Sequence, residues 1–488
     1  MTDSTASRPA RASGSMIVPL ALAQFIASYA ATNMNVAIST IAKDLGTTVI
    51  GVQTTITLFT LTMASLMIPG SKLTDIWGRK RCLVAGLGVY GIGALLAALA
   101  QGLGLMVFGY SLLEGIGSAL MIPPIYILIT VAFADVESRA RYFGIVSGAG
   151  GLGAAAGPLI GGLITSGISW RVSFGVQVLV VAWILVMARR IADPPRQGAR
   201  PRFDLVGAVL SAAGLFFVVF GILQSSSYGW FVARKDFKVA GTVVLPKGGV
   251  SPVWLFVAIG ALILAWFLLH IRSRERGGKD PLVSLRLFRN RRSNLGLATQ
   301  TVQWLTLQGS FFVLSVFLQE VRGFNAIETG LMLTPATIGI LVSSAAAQRL
   351  AERHPQRTLI RAGFVTTTVG MGLLLALARD TSGVFSFVPG LLLMGLGVGT
   401  MLTASVNLVQ SSFPEADQGD ISGISRSVSN LGSSLGTALA GSVLVAASFP
   451  GGRPFALALV TLGVISLIGL LAAVLIPREP AREAARTT

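Results

Sequence analysis

The chain has 488 residues, 53% of them hydrophobic and only 12% charged, with 38 Lys and Arg against 20 Asp and Glu for a formal net charge of +18. A mean hydropathy of +0.74 excludes a soluble domain that hides its apolar side chains in one core. The charge is therefore read as basic loops facing anionic headgroups, not nucleic acid, and the single cysteine, Cys82, excludes an intramolecular disulfide.

The first fifteen residues, "MTDSTASRPARASGS", are polar and lack a hydrophobic segment or an A-x-A-type site, so helix 1 is expected to direct insertion without a cleaved signal peptide. Apolar runs between charged or turn-rich breaks predict helices at 16–38, 52–71, 82–100, 105–131, 142–165, 172–190, 204–223, 253–271, 294–318, 329–348, 358–378, 387–411, 421–446 and 454–476. These fourteen spans put both termini on one side. With that side cytoplasmic, the inner segments hold 28 of the 38 Lys and Arg, the outer loops nine, and Arg426 lies within a helix.

Helix 1 carries a polar stripe at helical spacing, Gln24, Ser28, Thr32 and Asn35. After helix 2 comes "KLTDIWGRKRCLVAG", in which Asp75, Gly78, Arg79 and Lys80 form either a charged turn or a latch that closes the cytoplasmic side. Helix 4 contains Glu114. A charge in mid-membrane costs about 2.5–3.5 kcal/mol on insertion scales, so an isolated acid there needs a reason. Burial disfavours the charged carboxylate, and proton carriage is one such reason; a helix-packing hydrogen bond is the other.

Helix 5 contains "SGAGGLG" (Ser147–Gly153), a literal G-x-G-x-x-G at Gly148, Gly150 and Gly153. A dinucleotide loop would need a strand before it and an acid about 20 residues on. No Asp or Glu occurs between Glu137 and Asp193, so a membrane helix with close-packing glycines is expected instead. Gly144, Gly148, Gly151, Ala155 and Gly162 recur at helical spacing and predict one face open to a partner helix, with Pro158 bending it.

Helices 7 and 8 flank the long outer loop Ser225–Pro252. Its β-branched and aromatic residues, Ala-Gly break at 240–241 and Pro-Lys-Gly-Gly exit predict an extracytoplasmic β-hairpin. Arg234, Lys235, Lys238 and Lys247 on it run against the positive-inside trend, which a solvated ornament, a lid, or a docking arm for an acidic partner would each explain. Helix 9 carries a second polar stripe, Gln300, Gln303, Trp304 and Gln308; with the helix 1 stripe it outlines a cavity for a bulky apolar ligand, or ordinary interhelical hydrogen bonding. The loop "RLAERHPQRTLIRAG" overlays "KLTDIWGRKRCLVAG" at an offset of 277, pairing Glu352 and Arg353 with the first gate and placing the start of helix 9 on that of helix 1. The chain thus reads as an N-terminal six-helix half (1–203), a two-helix insert (204–292, hairpin 225–252) and a C-terminal six-helix half with its tail (293–488). Arg426, in helix 13, would hold an anion or snorkel to the inner surface.

"SKLTDIWGRK" resembles the G-x-L-x-D-R-x-G-R-K signature of the major facilitator superfamily, departing from it at Ser71 and Ile76. The helix 5 stretch resembles the antiporter motif G-x8-G-x3-G-P-x2-G-G at every position: Gly144, Gly153, Gly157, Pro158, Gly161 and Gly162. "FLQEVRGFNAIETGLMLTP" and "SGISRSVSNLGSSLGTAL" are similar to segments of the fourteen-spanning drug:proton antiporter family. The resemblance implies an all-α integral membrane fold of two six-helix halves with two inserted helices. It also implies alternating-access, proton-coupled export of hydrophobic or amphipathic compounds across the cell membrane. Ala30 and Ser111 stand where that pattern has an Asp and an Arg, and Glu114 where it has Gln. The alternatives are a lipid or lipid-precursor transporter of the same fold and a non-transporting sensor or scaffold. An enzyme is not expected: His270 and His354 are far apart in sequence and H-E-x-x-H is absent. The absence of G-x-x-x-x-G-K-[ST] argues against direct ATP drive, and the resemblance implies a proton gradient as energy source. No cofactor or metal is expected, the partners are a small substrate or lipid, and the chain is expected to be a monomer.

Overall fold

The computed structural model describes residues 16–133, 136–191, 203–239, 242–379, 381–413, 417–446 and 452–477. Among them, fourteen helices are long and apolar enough to cross a membrane. They are α1 (Ile17–Asp44), α2 (Val49–Trp77), α3 (Arg79–Ala98), α4 (Leu103–Met106, a π-helical stretch Val107–Glu114, then Gly115–Ala132), α5 (Val136–Gly167), α6 (Trp170–Ala188), α7 (Leu205–Leu223), α8 (Pro252–Arg276), α9 (Arg291–Val316), α10 (Ala326–Arg353), α11 (Gln356–Leu377), α12 (Val388–Gln410), α13 (Gln418–Ala446) and α14 (Arg453–Val474). Polar side chains set several starts. Thr48 Oγ1 accepts the Gly51 N–H at 3.0 Å, Asn290 Oδ1 accepts the N–H groups of Arg292 and Ser293, and Asn325 with Glu328 forms a capping box ahead of α10. Because such capped turns are not apolar, hydropathy alone misses them. α2 runs to Trp77, not to residue 71, so Asp75 lies in its last turn and not in a loop.

Helix packing repeats with a shift of eight helices. α1 lies on α5 as α9 lies on α13; α2 and α3 lie on α4 as α10 and α11 lie on α12; α3 lies on α6 as α11 lies on α14. The halves meet where α2 packs along α13 and α5 along α10, so each half offers its second and fifth helices to the other's fifth and second. α7 and α8 pack mainly on each other, with α7 also touching α2 and α13. For orientation, the basic end is the one carrying the α2–α3 and α8–α9 connections; the opposite end carries the α1–α2 and α9–α10 connections.

At the opposite end, β1 (Phe237–Val239) and β2 (Thr242–Leu245) pair antiparallel, Lys238 against Val243 and Val239 against Thr242; the break expected at 240–241 lies outside the described residues. Phe237 packs edge-on against Tyr228 and against Phe256 of α8, with ring centroids 5.6 and 5.7 Å apart, so this strand pair stands on the inserted helices.

At the basic end, Asp204 caps α7 by accepting the Gly207 N–H at 3.0 Å and meets His270 Nε2 at 2.9 Å and Arg274 Nε at 3.5 Å, both on α8. Burial alone would raise this carboxyl. The Gly207 N–H, the His270 ring and the Arg274 charge outweigh burial and hold it below its ordinary value. A lowered carboxyl contributes stability that is fully present above its ordinary value and is lost as pH falls from there through the lowered one. Asp204→Asn should therefore destabilise the purified protein by about 1–3 kcal/mol at neutral pH. In melting curves, the gap from the parent should begin to narrow once pH falls below about 4 and vanish only below the lowered value of Asp204.

Candidate functional site

Two antiparallel helix pairs join the halves. Along α2 and α13 a file of hydrogen bonds runs from end to end: Gln53 Nε2 donates to Thr437 O at 2.7 Å, Ser434 Oγ to Thr57 O at 3.1 Å and Ser427 Oγ to Ala64 O at 2.5 Å. At the basic end Lys72 Nζ stands 4.0 Å from Asp420, and a Cβ on Gly423 would lie 3.0 Å from Ser71 Cβ. The opposite end is held by Ser39 Oγ donating to Glu320 at 2.5 Å, Gln319 Nε2 to Asn35 O at 3.3 Å, and the Ile327 N–H to Ser166 Oγ at 2.9 Å. Gln319 and Glu320 sit on a π turn that closes α9.

The glycines of α5 serve two partners. Toward α1, within the same half, a Cβ on Gly150 would lie 3.1 Å from Gln24 Cγ and one on Gly161 3.1 Å from Asn33 Cβ; one on Gly153 would strike the Phe25 carbonyl, and one on Gly157 the Thr32 side chain. Toward α10, in the other half, Gly162 faces the Ala326 carbonyl, and a Cβ on Gly330 would lie 2.5 Å from Pro158 O. Of the face expected from sequence, Gly162 is packed, on α10. A Cβ on Gly148 or Gly151 would meet open space, and the packing of Gly144 and Ala155 lies outside the described residues. Helical spacing fits several overlapping faces of so glycine-rich a helix, and only the neighbours choose among them.

Of the expected gate, Gly78 holds φ at 106°, a conformation that favours glycine, and its N–H caps α2 on Thr74 O at 3.2 Å. Arg79 opens α3, and Lys80 Nζ donates to Arg189 O at 2.9 Å at the end of α6, inside the same half. Arg353 is exposed in the last turn of α10. The side chains of Asp75 and Glu352 lie outside the described residues. Among the described residues, the ion pair across the halves at this end is Lys72–Asp420, a partnership that sequence reading missed.

The expected cavity residues are packed away. Gln24, Thr32, Asn35, Gln300, Gln303 and Gln308 are buried, while Ser28 and Trp304 are half-buried. Gln24 Nε2 donates to Ser28 Oγ at 3.2 Å and Thr32 Oγ1 to Ser28 O at 3.3 Å, whereas Gln308 Nε2 crosses to Ala31 O at 3.0 Å. Gln303 turns toward α12, its amide nitrogen reaching Ser405 Oγ and Met401 O at 3.3 Å. A small cavity bordered by Asn33, Met34, Thr165, Trp170 and Ser173 touches none of these eight.

Glu114 ends the π-helical stretch of α4, fully buried, with neither carboxyl oxygen hydrogen-bonded. The hydroxyls of Tyr90 and Tyr110 face it electrostatically. Tyr110 itself donates to Ala30 O at 3.0 Å and Ser111 Oγ to Thr55 O at 2.8 Å, so the positions that depart from the family pattern are satisfied without charge. Arg426 is half-buried and engages a buried partner. Its guanidinium bonds the Tyr126 hydroxyl across the halves and lies 4.8 Å over that ring, while Tyr126 donates to Gln24 at 3.3 Å. The hydroxyl file of α13, Ser427, Ser434 and Thr437, was legible as small polar residues at three- and seven-residue spacing inside a quoted motif, yet its partner helix was not.

The family described as the Major Facilitator Superfamily matches residues 20–276, 238–437 and 297–488. The chain is 29% identical over 421 residues to the probable actinorhodin transporter of Streptomyces coelicolor, covering 84% of this chain and 69% of that one. It is 29% identical over 435 residues to the puromycin resistance protein pur8 of Streptomyces alboniger, with 88% and 82% covered. The multidrug efflux pump LfrA of Mycolicibacterium smegmatis is 26% identical over 445 residues, with 91% and 83% covered. Among solved structures, the human organic anion transporter MFSD10 (TETRAN) superposes with a TM-score of 0.61 at 13% identity, over 94% of this chain and 99% of that one, which is a likeness of fold.

Proposed function

The chain belongs to the major facilitator superfamily, and from that premise we propose that it exports hydrophobic or amphipathic compounds by alternating access, exchanging them for protons. Family membership makes it a transporter and not an enzyme, and its fourteen spans fit the drug:proton antiporter type. The relatives named for antibiotic export or resistance support efflux as the direction. One observation carries the coupling: the buried carboxyl of Glu114 on a π-helical stretch, beside a Tyr90 hydroxyl that donates to Gln177 Oε1 at 2.5 Å and so leaves both carboxyl oxygens short of the full hydrogen bonds that an ionised acid requires. A group so placed holds its proton while sealed and yields it when rocking of the halves admits water. In this reading the basic end is cytoplasmic, both termini lie on that side of the cell membrane, and the strand pair at the opposite end guides released product or meets an acidic partner.

Ala30 and Ser111, in place of the family's Asp and Arg, favour a second reading: a lipid or lipid-precursor transporter of the same fold. Inverted membrane vesicles separate the two. An inside-acid gradient is expected to drive uptake of puromycin or ethidium, with nigericin returning uptake to background. Gradient-driven movement of a fluorescent phospholipid alone would favour the second reading, and indifference of every compound to the gradient would contradict proton coupling.

A further inference from the structure

Arg426 places a guanidinium within α13. A guanidinium stays charged and offers five N–H donors in a planar fork. Here one of them is used, on the Tyr126 hydroxyl. Among the described residues no carboxylate pairs with Arg426. Glu114 does not neutralise it. Tyr126 and Glu114 sit on the same helix twelve residues apart, about 18 Å along the axis, so the acid and the base occupy different levels of the bundle.

The guanidinium also points inward. It lies over the ring of Tyr126, which is 3% exposed, and is therefore held between the helices by a buried partner. Three helices meet there: α13 with Arg426, α4 with Tyr126 and α1 with Gln24, the last seated against Gly150 of α5, where a Cβ would crowd it. Hydrogen-bond direction is uniform along this chain. Arg426 donates to Tyr126, Tyr126 to Gln24, and Gln24 to Ser28. Among the described residues the Tyr126 hydroxyl is the one acceptor recorded for the guanidinium, and Arg426 as a whole is half-buried.

We infer that Arg426 and Tyr126 form a subsite between the halves for an anionic group of the transported compound, a carboxylate or sulfonate on an aromatic or aliphatic body. The fork takes the anion's two oxygens while the Tyr126 ring flanks its apolar part. This deepens the export reading by naming the charge of the cargo, and rests on it only for the claim that the bound compound is moved.

The test is equilibrium binding to the full-length purified protein, with pyrenebutyrate and its uncharged methyl ester as paired fluorescent probes. The parent should bind the carboxylate about tenfold or more tighter than the ester. Arg426→Gln should bring the two to equal affinity while keeping ester binding, which doubles as a check of folding. Arg426→Lys, with charge but no fork, should retain part of the preference. Competition by short-chain phosphatidylglycerol against phosphatidylcholine identifies the source of the anion. Displacement by phosphatidylglycerol with no binding of pyrenebutyrate would assign the site to lipid phosphate and overturn the proposal. Equal binding of the two probes by the parent, or discrimination that survives in Arg426→Gln, would also overturn it. No gradient is involved, so failure of proton coupling in vesicles leaves this result standing, and the reverse holds as well.

Discussion

Replacing Glu114 with Gln is expected to reduce gradient-driven transport to the level seen without a gradient, while leaving substrate binding within about twofold of the parent. The carboxyl is fully buried and neither oxygen has a hydrogen-bond partner. An amide of nearly the same shape reproduces the protonated acid but can neither release nor regain a proton. Folding should not suffer: the amide adds no charge, and the close contacts that fix the stretch involve backbone, with a Cβ on Gly93 only 2.6 Å from Glu114 N. The facing groups are the hydroxyls of Tyr90, on α3, and of Tyr110, on the same π-helical stretch, both of which ordinarily titrate far above neutrality, near pH 10. Loss of coupling would then belong to Glu114 itself. Undiminished gradient-driven uptake by the variant would remove Glu114 from the coupling step.

Leucine at Gly162 should leave the protein inserted and stop turnover, because the new side chain must occupy the line along which α5 and α10 close. A Cβ there already strikes the Ala326 carbonyl and lies 3.5 Å from Gly330 Cα, and backbone atoms cannot swing aside as a side chain would. Closure of the opposite end can be read directly. Ser39 and Glu320 touch across the halves, and Cys82, the single native cysteine, is buried. A Ser39→Cys, Glu320→Cys double variant should therefore cross-link readily in the parent background and poorly with Gly162→Leu. Normal cross-linking and parental transport by the leucine variant would mean that α5 and α10 do not form a closing seam.

Much of this architecture was legible because a membrane span must be apolar over about 20 residues, a constraint that no tertiary context relaxes. The ends of the spans were less so. The last turn of α2, carrying Asp75, is polar yet helical, since helix ends at an interface are held by caps and water and not by lipid. The π-helical stretch before Glu114 left no mark in composition, although the isolated acid itself did. Single residues with an unusual charge for their surroundings, Glu114 and Arg426, could be named from sequence; their neighbours could not. Arg426 meets Tyr126 from 300 positions away, and Lys72 meets Asp420 across the same interface. The glycines show the same limit from the other side, because small residues announce close approach without saying which helix approaches. Gly153 and Gly157 proved to pack on α1 of their own half and Gly162 on α10 of the other, while Gly148 and Gly151 face open space.

The central claim is the exchange of cargo for protons through Glu114. It is tested most directly in proteoliposomes of the purified protein containing a trapped pH-sensitive dye, with no gradient imposed. Adding a transported compound on one side should move protons in the opposite direction at a rate that saturates with the compound, and Glu114→Gln liposomes should show no such movement. Transport of the compound by the parent with no accompanying pH change would contradict the account.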